Sequence, residues 1–352
     1  MNKLTKVGCS ALCGSLAAIS AANAGEMTVT GGVDMSWIAG DGTTTGNPIG
    51  MGSNLTFKGS GELDNGWTFG VTVANLNGSA YSSTAVNIDM LGLGKLNINQ
   101  GDSGNGIDAY DDKMPTAWEE SWGAGVSTGI QMVSGVGTSM NFQYTTPSIL
   151  GITIAAAHAP QMGAADTADK TSSGVNAANK GKGYDLTVNL NPSLGTEILS
   201  GLNLFAGGHY SEVYKSHAAG NNDDNRYEGV AGITYDIGPI SIGGARSGIL
   251  TGKSVGSADV DYYRNNMYGV AFNVNDNLSL SYGKHESEQN FVNPGTALGG
   301  EAVTMEVSSI QLAYTMGGAS IRVADSKVDN KEYQTAASAD QSATTISVSL
   351  AF

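Results

Sequence analysis

Thiols are nearly absent. The 352-residue chain has two cysteines, Cys9 and Cys13, and both fall in its first 24 residues. Those residues carry Lys3 and Lys6, a small-residue apolar run from Val7 to Ile19, and Ala22-Asn23-Ala24, the pattern of a secretory signal cleaved before Gly25. Residues 25–352, the expected exported part, then hold no thiol, which excludes a disulfide scaffold, a cysteine nucleophile and thiolate metal sites together. A lipid anchor on Cys9 fits poorly, because the apolar run follows that cysteine and Lys6 stands close before it.

Positive charge is scarce as well. Lys and Arg number 17 against 32 Asp and Glu, a net charge of −15, or −17 once the leader and its two lysines are removed. A basic nucleic-acid surface is excluded. Charged residues make up only 14 % of the chain, and the lysine, glutamate and leucine that fill helical bundles are sparse. Beyond residue 24 no apolar run approaches the ~18 residues of a membrane-crossing helix.

What is abundant is glycine, 50 residues, set around short segments that alternate strictly between apolar and polar. In the last segment Ile346, Val348, Leu350 and Phe352 share one face, and Thr345, Ser347, Ser349 and Ala351 the other. Met27, Val29, Val33, Met35 and Trp37 oppose Thr28, Thr30, Asp34 and Ser36 in the same way, as Tyr184, Leu186, Val188 and Leu190 oppose Asp185, Thr187 and Asn189. Such segments number about 16, each near the 9–11 residues of a tilted membrane strand.

Tight turns at Asp64-Asn65-Gly66, Leu91-Gly92-Leu93, Ser148 to Gly151, Asp236 to Pro239, Asn275-Asp276-Asn277 and Gly317-Gly318 alternate with long polar connections. The long ones run roughly over Gly40 to Gly50, Gly101 to Ser139, Pro160 to Lys182, Glu212 to Asn225, Ser247 to Val260, Glu286 to Ala302 and Ser326 to Ala343. Two links depart from this rhythm: Asn191 to Gly201 is long for its rim, and Asn77 to Ser79 short for the other.

A meander with short links at one end and long ones at the other predicts one domain, an all-β transmembrane antiparallel up-and-down barrel. Closure satisfies every backbone amide within hydrocarbon, and the apolar face meets lipid. Aromatics of the apolar parity fall at strand ends: Trp67, Tyr144, Tyr235, Tyr314 and Phe352 near the short turns, Trp37, Tyr184, Tyr210 and Tyr282 near the long loops. They read as two interfacial girdles, or as the ordinary strand preference for aromatics.

Gly94-Lys95-Leu96-Asn97-Ile98-Asn99-Gln100-Gly101-Asp102 resembles the strand that leads into the constriction loop of Gram-negative general diffusion porins, in particular the alphaproteobacterial type. Phe142-Gln143-Tyr144-Thr145-Thr146-Pro147 through Gly151-Ile152 resembles their following hairpin, and the terminal Phe352 their signal to the outer-membrane assembly machinery. The resemblance implies a 16-stranded homotrimeric channel, embedded among outer-membrane lipid and lipopolysaccharide, with its third long loop folded into the lumen and small hydrophilic solutes passing by diffusion.

Gly101 to Ser139 is the longest connection, and its first half carries Asp102, Asp108, Asp111, Asp112, Glu119 and Glu120. Inside a water-filled tube these carboxylates favour cations, because low-dielectric walls focus their field; a solvated acidic surface loop is the other reading. On the wall the lumen parity carries the bases Lys58, Arg226 and Arg322 and the acids Asp34, Glu62, Asp89, Asp185 and Glu228, whereas Arg246 and Arg264 have the lipid parity. The expected function is a cation-preferring outer-membrane porin.

A non-conducting surface barrel, used for adhesion or support, is the alternative, and a barrel enzyme a third reading. For the enzyme, His158 lies on the lipid parity without a Gly-x-Ser-x-Gly elbow, and His209, His217 and His285 form no metal-ligand spacing. No cofactor is expected; Asp111-Asp112 and Asn221-Asn222-Asp223-Asp224-Asn225 offer only a weak oxygen-rich pattern for Ca²⁺.

Overall fold

The computed structural model describes residues 24–41, 47–77, 82–163, 181–192, 197–213, 225–253, 259–293 and 300–352. The leader residues before 24, with both cysteines, lie outside these residues, as do His217 and Asn221 to Asp224.

Sixteen strands follow one another around a ring. The first eight are β1 (Ala24–Asp41), β2 (Ile49–Glu62), β3 (Thr68–Leu76), β4 (Ser83–Asp89), β5 (Lys95–Gln100), β6 (Asn141–Thr145), β7 (Ile152–Ala159) and β8 (Gly183–Leu190). The rest are β9 (Leu202–Ser211), β10 (Arg226–Ile237), β11 (Ile240–Leu250), β12 (Val260–Asn275), β13 (Leu278–Phe291), β14 (Val303–Met316), β15 (Ala319–Asp329) and β16 (Gln341–Ala351). Every strand pairs antiparallel with its sequence neighbours, and β16 returns to β1 to close the sheet, with Val33 opposite Leu350 and Trp37 opposite Ile346. Phe352 completes the seam: its amide donates to Gly31 O (3.0 Å), and Gly31 N donates back to Phe352 O (3.1 Å). No open edge remains at that seam, as hydrocarbon requires.

Alternation puts the predicted apolar residues outside. Trp37, Phe57, Tyr144, Leu186, Tyr282, Ile310 and Leu350 are all exposed, while Ser281, Ser309, Gln311 and Ser347 on the opposite parity are buried inside. Links after even-numbered strands stay tight, as at Gly238 (φ +58°) between Ile237 and Ile240, a conformation that glycine adopts without steric cost. The link 191–201 is the exception, lengthened by one helical turn at Glu197–Ser200.

Two expectations need correction. The later strands run further than their alternation suggests: β13 extends to Phe291, β15 to Asp329, and β11 to Leu250, into stretches read as loop. There the outward positions turn charged, with Lys284, Glu286 and Glu288 on β13, so the strand continues where its oily face has ended. The inward face is also not uniformly small and polar. Phe205, Val230 and Ile249 point inward and pack with Ile107, Tyr110 and Val133 of the 101–140 segment, and Met305, Val307 and Val328 pack with Val126 and Tyr333.

Candidate functional site: the lumen segment 101–140

The segment starts and ends on neighbouring strands, with Asn99 of β5 opposite Asn141 of β6. Its root is fastened by amides: Asn105 Nδ2 donates to Asn141 Oδ1 (2.8 Å) and Asn97 Oδ1 (2.7 Å), and Asn99 Nδ2 donates to Asp102 O (2.7 Å). A 3₁₀ turn follows at Gly106–Tyr110. Gly106 has φ +64°, and a Cβ there would sit 1.9 Å from Asp185 Oδ2, so only glycine brings the backbone this close to the wall.

Two wall carboxylates then hold the backbone. Asp185 Oδ2 accepts from Ile107 N (2.9 Å) and Val136 N (3.1 Å); Glu228 Oε2 accepts from Ser134 N (2.7 Å) and Gly135 N (3.1 Å). Behind them, Asp185 Oδ1 lies 2.5 Å from His209 Nδ1, and Glu228 Oε1 accepts from Arg226 Nε at 2.6 Å. Asp185 and Glu228 were expected as lumen charges; both are instead buried beneath the segment, because its amides need acceptors where water is excluded. Arg226 is neutralised in the same arrangement.

Further on, the segment reaches the opposite wall. Ala117 N donates to Ser281 Oγ (2.9 Å) on β13, and the amide of Gln311 on β14 accepts from Trp118 N (3.1 Å) and Glu119 N (3.0 Å) while donating to Glu119 O (2.6 Å). On β12 a Cβ at Gly269 would lie 2.7 Å from Pro115 O, so the bare backbone makes room. The Arg322 guanidinium of β15 lies 5.0 Å from the Trp118 ring centre, pairs with Asp34 of β1, and donates to Ser347 Oγ (2.7 Å). The return passes Asn265, whose Nδ2 donates to Gln131 O (3.0 Å), and Tyr333, whose hydroxyl accepts from Gln131 N (3.1 Å).

Beyond the root on β5 and β6, the hydrogen bonds of the segment to the wall fall on the β8–β16 side. Toward β1 and β2 a cavity of about 440 Å³ remains, bounded by Asp34, Ser36 and Gly52 on the wall and by Trp118, Gly123 and Ser127 on the segment. Lys58 of β2 is exposed and makes no ion pair among the described residues.

Of the six predicted acids of the segment, Asp108, Asp111, Asp112, Glu119 and Glu120 act on one another electrostatically. Asp102 stays exposed at the root, its amide held by Asn99 Oδ1 at 3.2 Å. Partial burial, reinforced by neighbouring carboxylates, pushes Asp111 and Glu120 up to about 7 and raises Asp108 and Glu119 less far. Among the described residues no three His, Cys, Asp or Glu side chains group as metal ligands. His158 stacks on Tyr184 on the outer face, with ring centres 4.6 Å apart, and His285 is buried inside.

Trp118, His209, Gln311 and Tyr333 were not foreseen. Gln311 was detectable as a bulky amide between the small residues Ser309 and Ala313 on the inward parity of β14; the other three needed the fold. A family model for Gram-negative porins matches residues 8–248. The chain belongs to that family. Three solved structures share the porin's architecture at low identity. Salmonella typhi OmpF in complex with daunomycin is 12 % identical, with 93 % of this chain and 98 % of that chain covered and a TM-score of 0.66. An anion-selective porin from Comamonas acidovorans is 12 % identical, covering 93 % and 99 %, with a TM-score of 0.64. A loop L8 deletion mutant of OmpT from Vibrio cholerae is 13 % identical, covering 93 % and 99 %, with a TM-score of 0.63. No curated protein matches the porin's sequence. Family and barrel together make it an outer-membrane channel, with its exposed apolar face toward lipid.

Proposed function

We propose that this porin passes small hydrophilic solutes by diffusion and prefers cations, the narrow path lying between the 101–140 segment and the β1–β2 wall. One observation carries the reading: five mutually interacting carboxylates sit on the segment, while the wall bases Arg226 and Arg322 are each paired with an acid. Among the described residues Lys58 is an exposed wall base without an ion pair, and against it stand the carboxylates of the segment, so the balance of charge across the gap is acidic. The anion-selective relative has the same architecture, so the sign of the selectivity belongs to side chains and not to the barrel.

Neutralising Asp108, Asp111 and Asp112 together is expected to move the zero-current potential in a salt gradient toward anions, at little change in channel number. An unmoved potential removes the segment from control of selectivity, and absence of any current favours the non-conducting barrel. No catalytic step is assigned to the molecule. Cleavage after Ala24 leaves β1 complete but for its first residue, which supports export of 25–352 as one barrel. Assembly as a homotrimer and recognition of Phe352 by the assembly machinery complete the proposal.

A further inference from the structure

The cavity between the 101–140 segment and the β1–β2 wall is bordered on its segment side by two indoles, Trp118 and Trp122. Both are fixed in place. Trp118 N donates to Gln311 Oε1 (3.1 Å) and to Thr116 Oγ1 (2.9 Å), and Trp122 packs against the cluster that holds Val126, Met305 and Tyr333. Each remains only half-buried, so apolar ring surface is left at a water-filled gap, where a solute can cover it without any rearrangement of the segment.

The facing wall supplies hydrogen-bonding groups. On β1 these are the Asp34 carboxylate and the Ser36 hydroxyl, and their cross-strand partners on β2, Gly52 and Gly50, carry no side chain. Asp34 is held by Arg322 and by Ser347 Oγ, which donates to Oδ1 at 2.5 Å, yet its side chain stays 44 % exposed and keeps acceptor capacity. Ser36, and Ser127 on the segment, make no hydrogen bond to another described residue.

Charge narrows the class of ligand. Arg322 is matched by Asp34 and lies within the field of Glu119, so the guanidinium beside the cavity is not free to hold an anion. The same guanidinium stands 5.0 Å from the centre of the Trp118 ring, so an organic cation would meet a cation already there. A neutral solute with one apolar face and a polar edge satisfies both constraints. A pyranose is built this way: the C–H groups of its ring face pack on an indole, and its hydroxyls donate to a carboxylate and exchange hydrogen bonds with serines. The cavity volume, about 440 Å³, lies in the range of small-molecule sites.

We infer that this cavity is a binding subsite for a neutral pyranose sugar, its ring face on Trp118 and Trp122 and its hydroxyls on Asp34, Ser36 and Ser127. The inference rests on the reading of this gap as the path of diffusing solutes, and adds to it a saturable step at which sugars pause.

The test is single-channel current of the purified porin in a planar bilayer bathed in potassium chloride, titrated with D-glucose and with D-mannitol, an acyclic polyol that has no ring face. The expected result is a saturable fall in current with glucose, accompanied by excess current noise, whereas mannitol lowers the current only in proportion to the conductivity of the bath. Trp118→Ala is expected to raise the half-blocking glucose concentration about tenfold or more, and S36A/S127A about fivefold, as loss of two hydrogen bonds implies. Lys327→Gln, a charge change on the outward side of β15, leaves it unchanged. Block is read relative to each variant's own sugar-free current, which separates loss of the subsite from loosening of the segment. A glucose response as proportional as that of mannitol, an unchanged half-blocking concentration in Trp118→Ala or in S36A/S127A, or block by choline at lower concentration than by glucose would each overturn the inference while the measured current leaves the channel reading standing. Absence of current from the unaltered porin would overturn both.

Discussion

Asp185 and Glu228 illustrate how much a side chain's surroundings change its meaning. Each is an acid on the lumen parity, yet each spends its oxygens on two backbone amides of the 101–140 segment and on one basic neighbour. Replacing Asp185 by Ala would leave the amides of Ile107 and Val136 without their acceptor, at about 1–3 kcal/mol for each buried group. The expected result is faster proteolytic cutting within 101–140 and a larger single-channel current; Asp185→Asn, which keeps an acceptor oxygen, should do less.

Asp111 and Glu120 belong to the same scale but act through titration. Both lose their protons only near pH 7 because burial and neighbouring carboxylates disfavour the charged form. Lowering the pH from 8 to 5.5 therefore removes negative charge from the segment, and the cation-to-anion permeability ratio should fall across that window. Reversal potentials measured along the pH series test this; a flat profile would detach these two residues from the conduction path. In the linkage sense, the folded segment binds protons that the unfolded chain, with ordinary values of 3.8 and 4.5, releases. Stability contributed by these groups is thus greatest at acid pH and declines as pH rises toward 7.

Among the elements, strands and turns were legible because their period of two and their Gly, Asn and Asp punctuation are local properties. Strand ends in β11, β13 and β15 were not, since polarity outside the hydrocarbon erases the contrast between faces while the hydrogen-bond ladder continues. Breaks in alternation carried information too: Leu204-Phe205 and Ile249-Leu250 put apolar side chains on both faces, and in each pair the inward member, Phe205 or Ile249, anchors the segment. Phe205→Ala should cost about 3–5 kcal/mol, by lost transfer energy and the cavity left in a dry cluster. Ile233→Ala on the outward face, where lipid closes over the gap, should cost much less. Thermal unfolding midpoints of the two variants in one detergent separate them.

At the scale of the whole molecule, the barrel is a low-dielectric sleeve, and the acidic segment works through the field in its water. Selectivity of this origin is screened: the Debye length shrinks from about 10 Å at 0.1 M to about 3 Å at 1 M salt. The cation preference should weaken across that range when reversal potentials are taken at a constant concentration ratio. A preference independent of salt would point to steric exclusion instead. The same sleeve explains why 12 % identity suffices for shared architecture: closure and an oily belt constrain residue type, not residue identity.

Period-two alternation, short and long links in turn, and an excess of acid were all written in the order of residues, so barrel, strand number and overall charge sign followed from local rules alone. Only the tertiary structure decided which inward acids face water. That depends on where a 40-residue connection lies across the sheet, through contacts between residues as far apart as Gln311 and Glu119, 192 positions, or Tyr333 and Gln131, 202 positions. Long-range packing turned Asp185 and Glu228 into fastenings, paired Arg322 with Asp34, and left Asp111 and Glu120 as charges that respond near neutral pH.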